Sequence, residues 1–437
     1  MVITMAIDIY GDKNNGTTVT AMRTAASLIK AGNEVRVIAW VPDKIQGDII
    51  DGVKVLRCHK VVVPVFEGLI EANGFTFGNI DEKAIADFIK GSDVVHLLLP
   101  FPLERKVMHV AQAMNIPVTN AFHLQPDSIS YNIHLGKCQP INSFIYHLFY
   151  RWTFKYTRTV HTPSQNMRRL MYVHHYRNDI HAISNGVSPF FEKMDVEKPA
   201  ELKDKYIIMM TGRLSGEKRQ DLIIKAVGHS KYNDKIQLIF CGQGPRKKQY
   251  ERLSKKYLKN PAIFKFVTQK EVRDIINYSD LYIHASDIES EAIACIEAFT
   301  CGKVPIISDS KYSATNYFAL DKRCLFKAGN YLDLRDRIEY FIEHPEVVKE
   351  LSVKYIEYGK KFALYDKADQ LEDMMKLEIS RHQEDEKQHR MFYSSAKERR
   401  KIRKAAKKAG LPKPTLYKKD VYHSKEWKEY VAKIDKN

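Results

Sequence analysis

Short apolar runs that alternate with amphipathic stretches constrain the fold of this chain more than any other feature. Runs of β-forming residues occur at 35–39 (VRVIA), 94–99 (VVHLLL) and 116–119 (IPVT), and helix-like segments such as 18–31 accompany them. The same alternation restarts at Tyr206. Its runs lie at 206–211, 236–241, 263–267, 281–284 and 304–307. Because strands and helices that alternate in this way build parallel sheets, the pattern predicts an α/β protein with two similar units.

A segment rich in proline, glycine and charge separates the two units. Its sequence is SNGVSPFFEKMDVEKPAELKDK, and it places a hinge near residues 186–205. A chain of 437 residues is also too long for one ordinary hydrophobic core. We therefore expect an N-terminal domain over residues 1–190 and a C-terminal domain over 191–364. An amphipathic helix over 365–380 and a basic tail over 381–437 are expected to follow.

The sequence favours a cytoplasmic protein whose membrane contact is peripheral. The N-terminus MVITMAIDIYGD has no basic region followed by a long apolar stretch, and no run reaches the roughly 18 apolar residues of a spanning helix. The six cysteines never form a C-x-x-C pair. This spacing disfavours a zinc site or a disulfide framework.

Positive charge is concentrated at the end of the chain. The formal net charge is +17, and residues 381–437 contain 18 Lys and Arg but 8 Asp and Glu, which is more than half of the excess. Such an excess suits the phosphates of lipid head groups, nucleic acids or nucleotides. The stretch AKERRKIRKAAKKAGLPKP is too charged and too poor in apolar residues to bury a core. We expect a helical or disordered appendage there.

The motif GRLSGEK follows the first strand of the second unit. A glycine at the end of a strand lets the backbone approach a ligand, and Arg213 and Lys218 supply two cations that can hold a diphosphate. Taken alone, this motif is more typical of a surface turn with solvated charges.

Two glutamates lie about seventy residues further on, within DIESEAIACIEAFTCGKVPIISD. Glu289 falls in the loop after the run at 281–284, and Glu297 falls on the following helix, with seven residues between them. A helix N-terminus favours anionic ligands, and carboxylates beside it can accept sugar and ribose hydroxyls. Charge on a helix surface is the alternative. Because AIACIEAF is apolar on nearly every side, we expect Glu297 to be partly buried.

Together these motifs resemble the GT4 family of retaining glycosyltransferases. The resemblance rests on GRLSGEK, on the E-x7-E of Glu289 and Glu297, on the turn FCGQGP at 240–245 and on the opening YGDKNNGTTVTAMRTAASLIKAGNEV. These four motifs occur in the family's order within residues 1–380. The resemblance implies a GT-B fold, with two Rossmann-like domains that face a central cleft and a helix over 365–380 that returns to the first domain.

The resemblance also implies a donor site for a nucleotide-sugar. Its donor-binding residues are Gly16, Arg213, Lys218, Val267, Ile293 and Glu297, and its catalytic residues are His123 and Glu289. The cations would neutralise the leaving phosphate, one glutamate would hold the sugar and the other the ribose, and backbone near Val267 would contact the base. No D-x-D pair follows a strand, so we expect no tightly bound cofactor and no metal ligands. A requirement for loosely held Mg²⁺ is left open by the sequence.

His123 is implied to face the transferred sugar from the first domain. It lies in AFHLQP, just beyond the run at 116–119. The carboxyl ends of strands are where α/β proteins bind ligands. A single histidine in another setting would more often be structural.

Two positions depart from the family pattern. The family often has glycine where this chain has Arg219, and Phe-Gly-Leu where it has Glu291, Ala292 and Ile293. The change from glycine to alanine bears on how closely that loop approaches the sugar. Neither carboxylate is lost.

Aromatic and basic residues are interleaved in NSFIYHLFYRWTFKYTR at 142–158, and MRRLMYVHHYR follows at 167–177. Such a mixture suits an anionic bilayer surface, and a core helix with a charged outer face is a nearly equal alternative. Trp152, Arg168 and Arg169 are the residues that we expect on the membrane or acceptor side.

The phrases HLQPDSISYNIHLGK and SDIESEAIACIEAF are similar to the bacterial diacylglycerol glucosyltransferases. This similarity implies glucose transfer from UDP-glucose to a diacylglycerol acceptor, with anionic lipids as partners at the inner face of the cell membrane. A polysaccharide, glycoprotein or lipid-linked oligosaccharide acceptor is the alternative within the family. Specific nucleic-acid binding is disfavoured because no RNP, KH or zinc-finger signature occurs. The retained charged motifs disfavour a non-catalytic scaffold.

Overall fold

The computed structural model describes residues 1–12, 16–64, 67, 76–132, 138–392, 395–421 and 424–434. Its internal contacts divide the chain into two compact units. The first comprises Met1–Ile129, Cys138–Asn185 and Tyr365–Asn437, and the second comprises Ser130–Lys137 and Gly186–Leu364. The boundary therefore falls at the start of the expected hinge region.

The first unit is built on a large sheet. In chain order its strands are β1 (Val2–Ile9), β2 (Glu34–Trp40), β3 (Ile49–Ile50), β4 (Val53–Arg57), β5 (His59–Val61), β6 (Phe77–Asn79), β7 (Val94–Leu97), β8 (Val118–Ala121), β9 (Thr159–Thr162) and β10 (Asp179–Ala182). Eight of these described strands form a sheet in the order β10-β9-β8-β7-β1-β2-β4-β3, which is parallel except for β3, and β5 pairs with β6.

Helices flank this sheet. They are α1 (Gly16–Lys30), α2 (Glu82–Ile89), α3 (Pro102–Ala113), α4 (Pro126–Asn132), α5 (Gln139–Trp152) and α6 (Gln165–Val173). The central strands are buried on both faces, since Met5 and Ala6 of β1 point to opposite sides of the sheet and neither is exposed. Burial on both faces explains why these strands appear in the sequence as nearly continuous apolar runs.

The second unit repeats the design. Its strands are β11 (Tyr206–Thr211), β12 (Ile236–Cys241), β13 (Ile263–Lys265), β14 (Leu281–His284), β15 (Pro305–Ser308) and β16 (Leu325–Phe326). Its helices are α7 (Gln220–Gly228), α8 (Lys247–Tyr257), α9 (Gln269–Tyr278), α10 (Ile293–Thr300), α11 (Tyr331–Glu343) and α12 (Pro345–Gly359). The described strands form a parallel sheet in the order β13-β12-β11-β14-β15-β16.

The C-terminal residues are largely helical and belong to the first unit. They form α13 (Leu364–Lys387), β17 (Arg390–Met391), α14 (Ala396–Lys408), β18 (Lys419–Asp420) and α15 (Lys425–Ile434). The expected helix over 365–380 is therefore longer than the sequence suggested. None of the helices in the described part of the chain combines the length and apolar character that crossing a bilayer requires.

The expectation that the basic tail buries no core is wrong for α14. Ile402, Ala405, Ala406 and Ala409 are buried at 7% exposure or less, and this face packs against α3. Their spacing of three and four residues places them on one side of the helix, and most of the basic residues occupy the other. Composition alone conceals such a narrow apolar face.

Candidate active site

The two charged motifs of the second unit follow neighbouring strands. GRLSGEK begins directly after β11, and the acidic segment begins directly after β14, which pairs with β11 in parallel. The carboxyl ends of parallel strands meet at one edge of a sheet, where α/β proteins commonly bind ligands. This strand order therefore explains how residues about seventy positions apart reach the same place.

Lys218 and Glu289 are in direct contact at this edge. Lys218 ends a 3₁₀ turn over Gly216–Lys218, and its Nζ donates to Glu289 Oε1. The Ala314 N–H donates to the Glu289 carbonyl at 2.9 Å. The Glu289 and Lys218 side chains are only 10% and 20% exposed. The structure therefore brings together two of the predicted site residues as an ion pair.

His284, the last residue of β14, completes the surroundings of Glu289. Its Nε2 lies 2.8 Å from Glu289 Oε1 and 3.1 Å from Ser286 Oγ, and its Nδ1 lies 3.2 Å from the Tyr282 hydroxyl. Burial alone would raise the pKa of Glu289, but the charge of Lys218 and the hydrogen bond from His284 lower that pKa overall. The carboxyl group is therefore held ionised.

Sequence reasoning missed His284 as a site residue. Its signal was a histidine at the end of an otherwise apolar buried run, immediately before an acidic loop. A polar side chain that is 2% exposed needs a hydrogen-bond partner, and Glu289 provides one.

Both departures from the family's glycines occur where the backbone is left-handed. Arg219 has φ of 55° and caps α7, and Ala292 has φ of 69° and caps α10. Glycine adopts this conformation without strain, whereas other residues do so at a cost of about 1–2 kcal/mol. The loop that follows Glu289 therefore keeps a glycine-like backbone although it has lost the glycine.

Arg219 has contacts that a glycine could not make. Its Nη1 donates to Asp287 at 2.9 Å, and its Nε donates to Asp221 at 3.1 Å. The Asp287 N–H in turn donates to the Glu217 carbonyl at 2.8 Å. Arg219 therefore joins the loop after β11 to the loop after β14, beside the Lys218 pair.

The remaining predicted donor residues lie along the same edge. Glu297 is 7% exposed on α10, as the sequence predicted, and Ile293 is the first residue of that helix. Arg213 is exposed on the loop that carries Lys218, and Val267 is half-buried two residues after β13. Their roles toward a ligand stay predictions.

The FCGQGP turn packs tightly against the GRLSGEK loop. A Cβ at Gly242 would lie 2.0 Å from the Gly212 carbonyl oxygen, and a Cβ at Gly244 would lie 2.4 Å from the Leu214 carbonyl oxygen. Both positions therefore require glycine. The two family motifs form one rigid loop pair beneath the charged residues.

His123 follows β8 in the first unit and lies among other histidines. Its ring is 5.1 Å from the ring of His161, and His161 is 6.3 Å from His96. Burial, together with the neighbouring His161 and His96, lowers the pKa of His123 well below its ordinary value. Burial lowers the pKa of His96 to about 3 and that of His161 to about 4. His123 is therefore a neutral imidazole, and its contact with a sugar stays a prediction.

Gly16 is exposed and is the first residue of α1. The helix therefore begins two residues before the expected start at residue 18. The preceding residues 13–15 lie outside the described residues.

The residues predicted on the membrane or acceptor side lie on α5 and α6. Trp152 ends α5 with 38% exposure. Arg168 lies over the Tyr172 ring at 5.7 Å, and the exposed Arg169 donates to Asn166 Oδ1 at 3.2 Å. The inner face of α5 is core, with Tyr146 and Phe149 buried, as the second interpretation of this segment expects. Contact of the outer face with a membrane stays a prediction.

Within the described ranges, no three His, Cys, Asp or Glu side chains are grouped so that they could hold a metal ion. The arrangement of the second unit nevertheless has a clear chemical capacity. A buried carboxylate can accept sugar hydroxyls, and the cations of the adjoining loop can stabilise negative charge on a leaving phosphate.

Two family models match this chain. Residues 14–189 match Glycosyltransferase Family 4, and residues 192–362 match Glycosyl transferases group 1. The GPI3 subunit of phosphatidylinositol N-acetylglucosaminyltransferase from Saccharomyces cerevisiae is 29% identical over 111 residues, which are 24% of each chain. The chain thus matches about a quarter of the length of that relative. Alpha-monoglucosyldiacylglycerol synthase from Acholeplasma laidlawii is 23% identical over 312 residues, 67% of this chain and 76% of that protein.

The fold has solved counterparts as well. The structure of Anabaena HepE in complex with UDP and glucose aligns with a TM-score of 0.66 and 14% identity, over 86% of this chain and 99% of that one. Identity this low supports the fold alone. The family matches extend over most of both units and include GRLSGEK, FCGQGP, the two glutamates and the opening motif from residue 14 onward. This chain therefore belongs to the group 1, family 4 glycosyltransferases and has their two-domain α/β GT-B fold.

Proposed function

We propose that this protein is a retaining glycosyltransferase that moves glucose from UDP-glucose to a diacylglycerol-type lipid at the inner face of the cell membrane. The observation that carries the proposal is the Lys218–Glu289 pair, which lies at the ligand-binding edge of the second sheet. Both residues occupy positions that the family motifs assign to the donor. The similarity to HepE, whose structure contains UDP and glucose, supports the donor class, and the similarity to the monoglucosyldiacylglycerol synthase supports the acceptor class.

The chemistry follows from charge development. The bond between the anomeric carbon and the phosphate oxygen breaks, so the sugar becomes oxocarbenium-like and the nucleotide becomes more anionic. Lys218 and Arg213 stabilise that negative charge, and Glu289 orients the sugar through its hydroxyls. The acceptor oxygen bonds to the anomeric carbon on the face that UDP leaves. The acceptor proton passes to the departing phosphate oxygen. Because the acceptor attacks on the face that UDP leaves, the anomeric configuration is retained.

The surroundings of Glu289 favour this route over a covalent glycosyl-enzyme. A carboxylate that is hydrogen-bonded to both Lys218 and His284 is a weak nucleophile, because its negative charge is already compensated. Glu289 is suited instead to holding hydroxyls. Loosely held Mg²⁺ is compatible with this proposal, since it needs no dedicated ligand cluster in the protein.

Transfer assays on the full chain test the proposal. The protein is incubated with a panel of UDP-sugars and with diacylglycerol in detergent micelles, and the products are identified by mass spectrometry. We expect glucosyl-diacylglycerol from UDP-glucose, and a loss of at least about a hundredfold in kcat/KM for Lys218→Gln. Lys248→Gln, on the exposed face of α8, is the matched control and should be unaffected. Transfer only to acceptors other than lipids would reject the acceptor assignment, and no use of any nucleotide-sugar would reject the donor assignment.

A further inference from the structure

Two helices of the first unit, α5 and α14, have complementary exposed faces. We propose that they form one docking surface for an anionic lipid bilayer, to which α5 contributes apolar side chains and the C-terminal α14 contributes cations. This inference deepens the proposed function and rests on it for the lipid substrate. The docking surface itself consists of the exposed residues of α5 and α14, and the half-buried Arg105 and the buried Tyr156 pack between the two helices.

The outer face of α5 is apolar. Phe144, Leu148 and Trp152 follow one another at intervals of four residues and are 65%, 46% and 38% exposed. Residues four apart lie on the same side of a helix, so these three form a continuous stripe. Tyr146 and Phe149 on the opposite face are buried. The α5 helix is therefore anchored in the unit by one face and presents large apolar groups with the other.

The segment that carries this stripe has no acidic residues of its own. The sequence from 139 to 178 contains no Asp or Glu, although it contains six Arg and Lys. An apolar stripe on a segment with cations but no acids suits the interface of an anionic membrane, where aromatic groups insert and cations meet the head groups.

The outer face of α14 is strongly basic. Eight of its 13 residues are Lys or Arg. Those with exposed side chains are Lys397, Arg400, Arg403, Lys404, Lys407 and Lys408. Glu398, its one acidic residue, is 1% exposed and lies 2.7 Å from His109 Nε2 of α3. Because this acid faces inward, it does not reduce the positive potential of the outer face.

Contacts between cations and aromatic rings link α5 to α14. The Arg105 guanidinium lies 4.5 Å from the centre of the Trp152 ring and 5.3 Å from that of Tyr156. On the other side, Lys401 Nζ of α14 lies 5.8 Å from the centre of the Tyr156 ring. Arg105 belongs to the first turn of α3, against which α14 packs. The end of the apolar stripe at Trp152 therefore lies close to α14 in the same unit.

A bilayer fits this surface better than a polyanion does. Nucleic acid would match the charge of α14 but would leave the aligned apolar side chains of α5 in water. A bilayer satisfies both, since each cation near an anionic surface strengthens binding by about fivefold and the apolar groups enter the interface.

Vesicle binding tests the charged half of the surface. Sedimentation is measured with vesicles of phosphatidylcholine alone and with added phosphatidylglycerol, without donor or acceptor. We expect binding to the anionic vesicles that weakens in 0.5 M salt, and a loss of at least about tenfold in R400Q/R403Q/K404Q/K407Q. The control K247Q/K248Q/K255Q/K256Q removes the same charge from the exposed side of α8 and should stay within about twofold of the wild type. Equal losses in both variants would overturn the proposal.

Fluorescence tests the apolar half. Brominated lipids in the anionic vesicles should quench Trp152, so quenching should disappear in Trp152→Phe and persist in Trp40→Phe. The double variant Phe144→Ser/Leu148→Ser should weaken vesicle binding most at high salt, because salt screens the attraction between the cations and the lipid head groups. Persistent quenching in Trp152→Phe, or binding of duplex DNA but not of vesicles, would overturn the proposal. A protein that binds vesicles but glucosylates only soluble acceptors would retain this surface and reject the proposed acceptor.

Discussion

Lys218 donates a hydrogen bond to Glu289 across two loops that follow neighbouring parallel strands. The family motifs assign these residues to different parts of a donor, the phosphate and the sugar. Their contact lowers the pKa of Glu289, so a substitution of Lys218 changes the ionisation of that carboxyl group.

Replacement of Lys218 by Met is expected to change the pH dependence of stability. The pKa of Glu289 lies below its ordinary 4.5, so its contribution to folding is complete above that pH and is lost as the pH falls further. In Lys218→Met the pKa of Glu289 rises, because burial remains and the opposing charge is gone. We expect a loss of about 3 kcal/mol at pH 7 that shrinks below pH 4.5.

Urea unfolding between pH 3 and pH 8 measures this effect. Lys354→Met, which breaks the exposed pair with Glu350, is the control and should show no resolvable change. A loss in Lys218→Met that is constant across the whole pH range would contradict the coupling.

Ala292→Gly is expected to stabilise the protein. The backbone of Ala292 is left-handed, with φ of 69°, and glycine removes the strain of the side chain there. After the larger conformational entropy of glycine in the unfolded chain is subtracted, we expect a gain of about 0.5–1 kcal/mol in the free energy of unfolding. Donor affinity should change little, because the backbone already has the glycine-like conformation.

Arg219→Gly provides the comparison, since its backbone has the same strain but its side chain is paired with Asp287 and Asp221. We expect no gain there. Urea unfolding of both variants checks the pair of expectations, and a destabilised Ala292→Gly would show that the left-handed backbone is not strained.

Glu297→Ala is expected to lower kcat/KM at least about a hundredfold while the fold survives. Glu297 is 7% exposed in the middle of α10, and loss of its carboxylate removes the predicted charged acceptor for ribose hydroxyls. Glu297→Gln keeps the volume and one acceptor oxygen, so its loss should be smaller. Steady-state kinetics and circular dichroism measure both quantities, with Glu251→Ala on α8 as control. Near-normal turnover in Glu297→Ala would remove this residue from the donor site.

Local patterns predicted the strands of the second unit closely. The runs at 206–211, 236–241 and 281–284 coincide with β11, β12 and β14, because strands buried on both faces need apolar residues at every position. The motifs also placed Lys218 and Glu289 in adjacent loops. Their mutual contact and the part played by His284 depend on the strand order, which no local pattern contains.

The packing of the C-terminal residues, in contrast, was not predicted from local patterns. Their high charge suggested a stretch without a core, and the structure shows that four apolar residues on one face of α14 are enough for packing. Buried ion pairs add to this packing. They link residues more than two hundred positions apart, a distance at which sequence spacing gives no signal.

Two of these buried ion pairs are formed by Arg158, the residue before β9. Its guanidinium donates to Glu378 at 3.2 Å and to Asp385 at 2.9 Å on α13, and all three side chains are less than 8% exposed. Arg158→Met leaves Glu378 buried without its cation and leaves Asp385 with Arg390 alone, so we expect a loss of about 3–5 kcal/mol in the free energy of unfolding. The double variant Arg158→Met/Glu378→Gln should recover part of this loss, and Arg335→Met, from an exposed pair, should have no resolvable effect.

Because Asp385 belongs to this network, deletion of residues 381–437 would damage the first unit as well as any membrane contact. An unchanged stability of Arg158→Met in thermal and urea unfolding would instead mean that this ion pair makes no net contribution to the stability of the first unit.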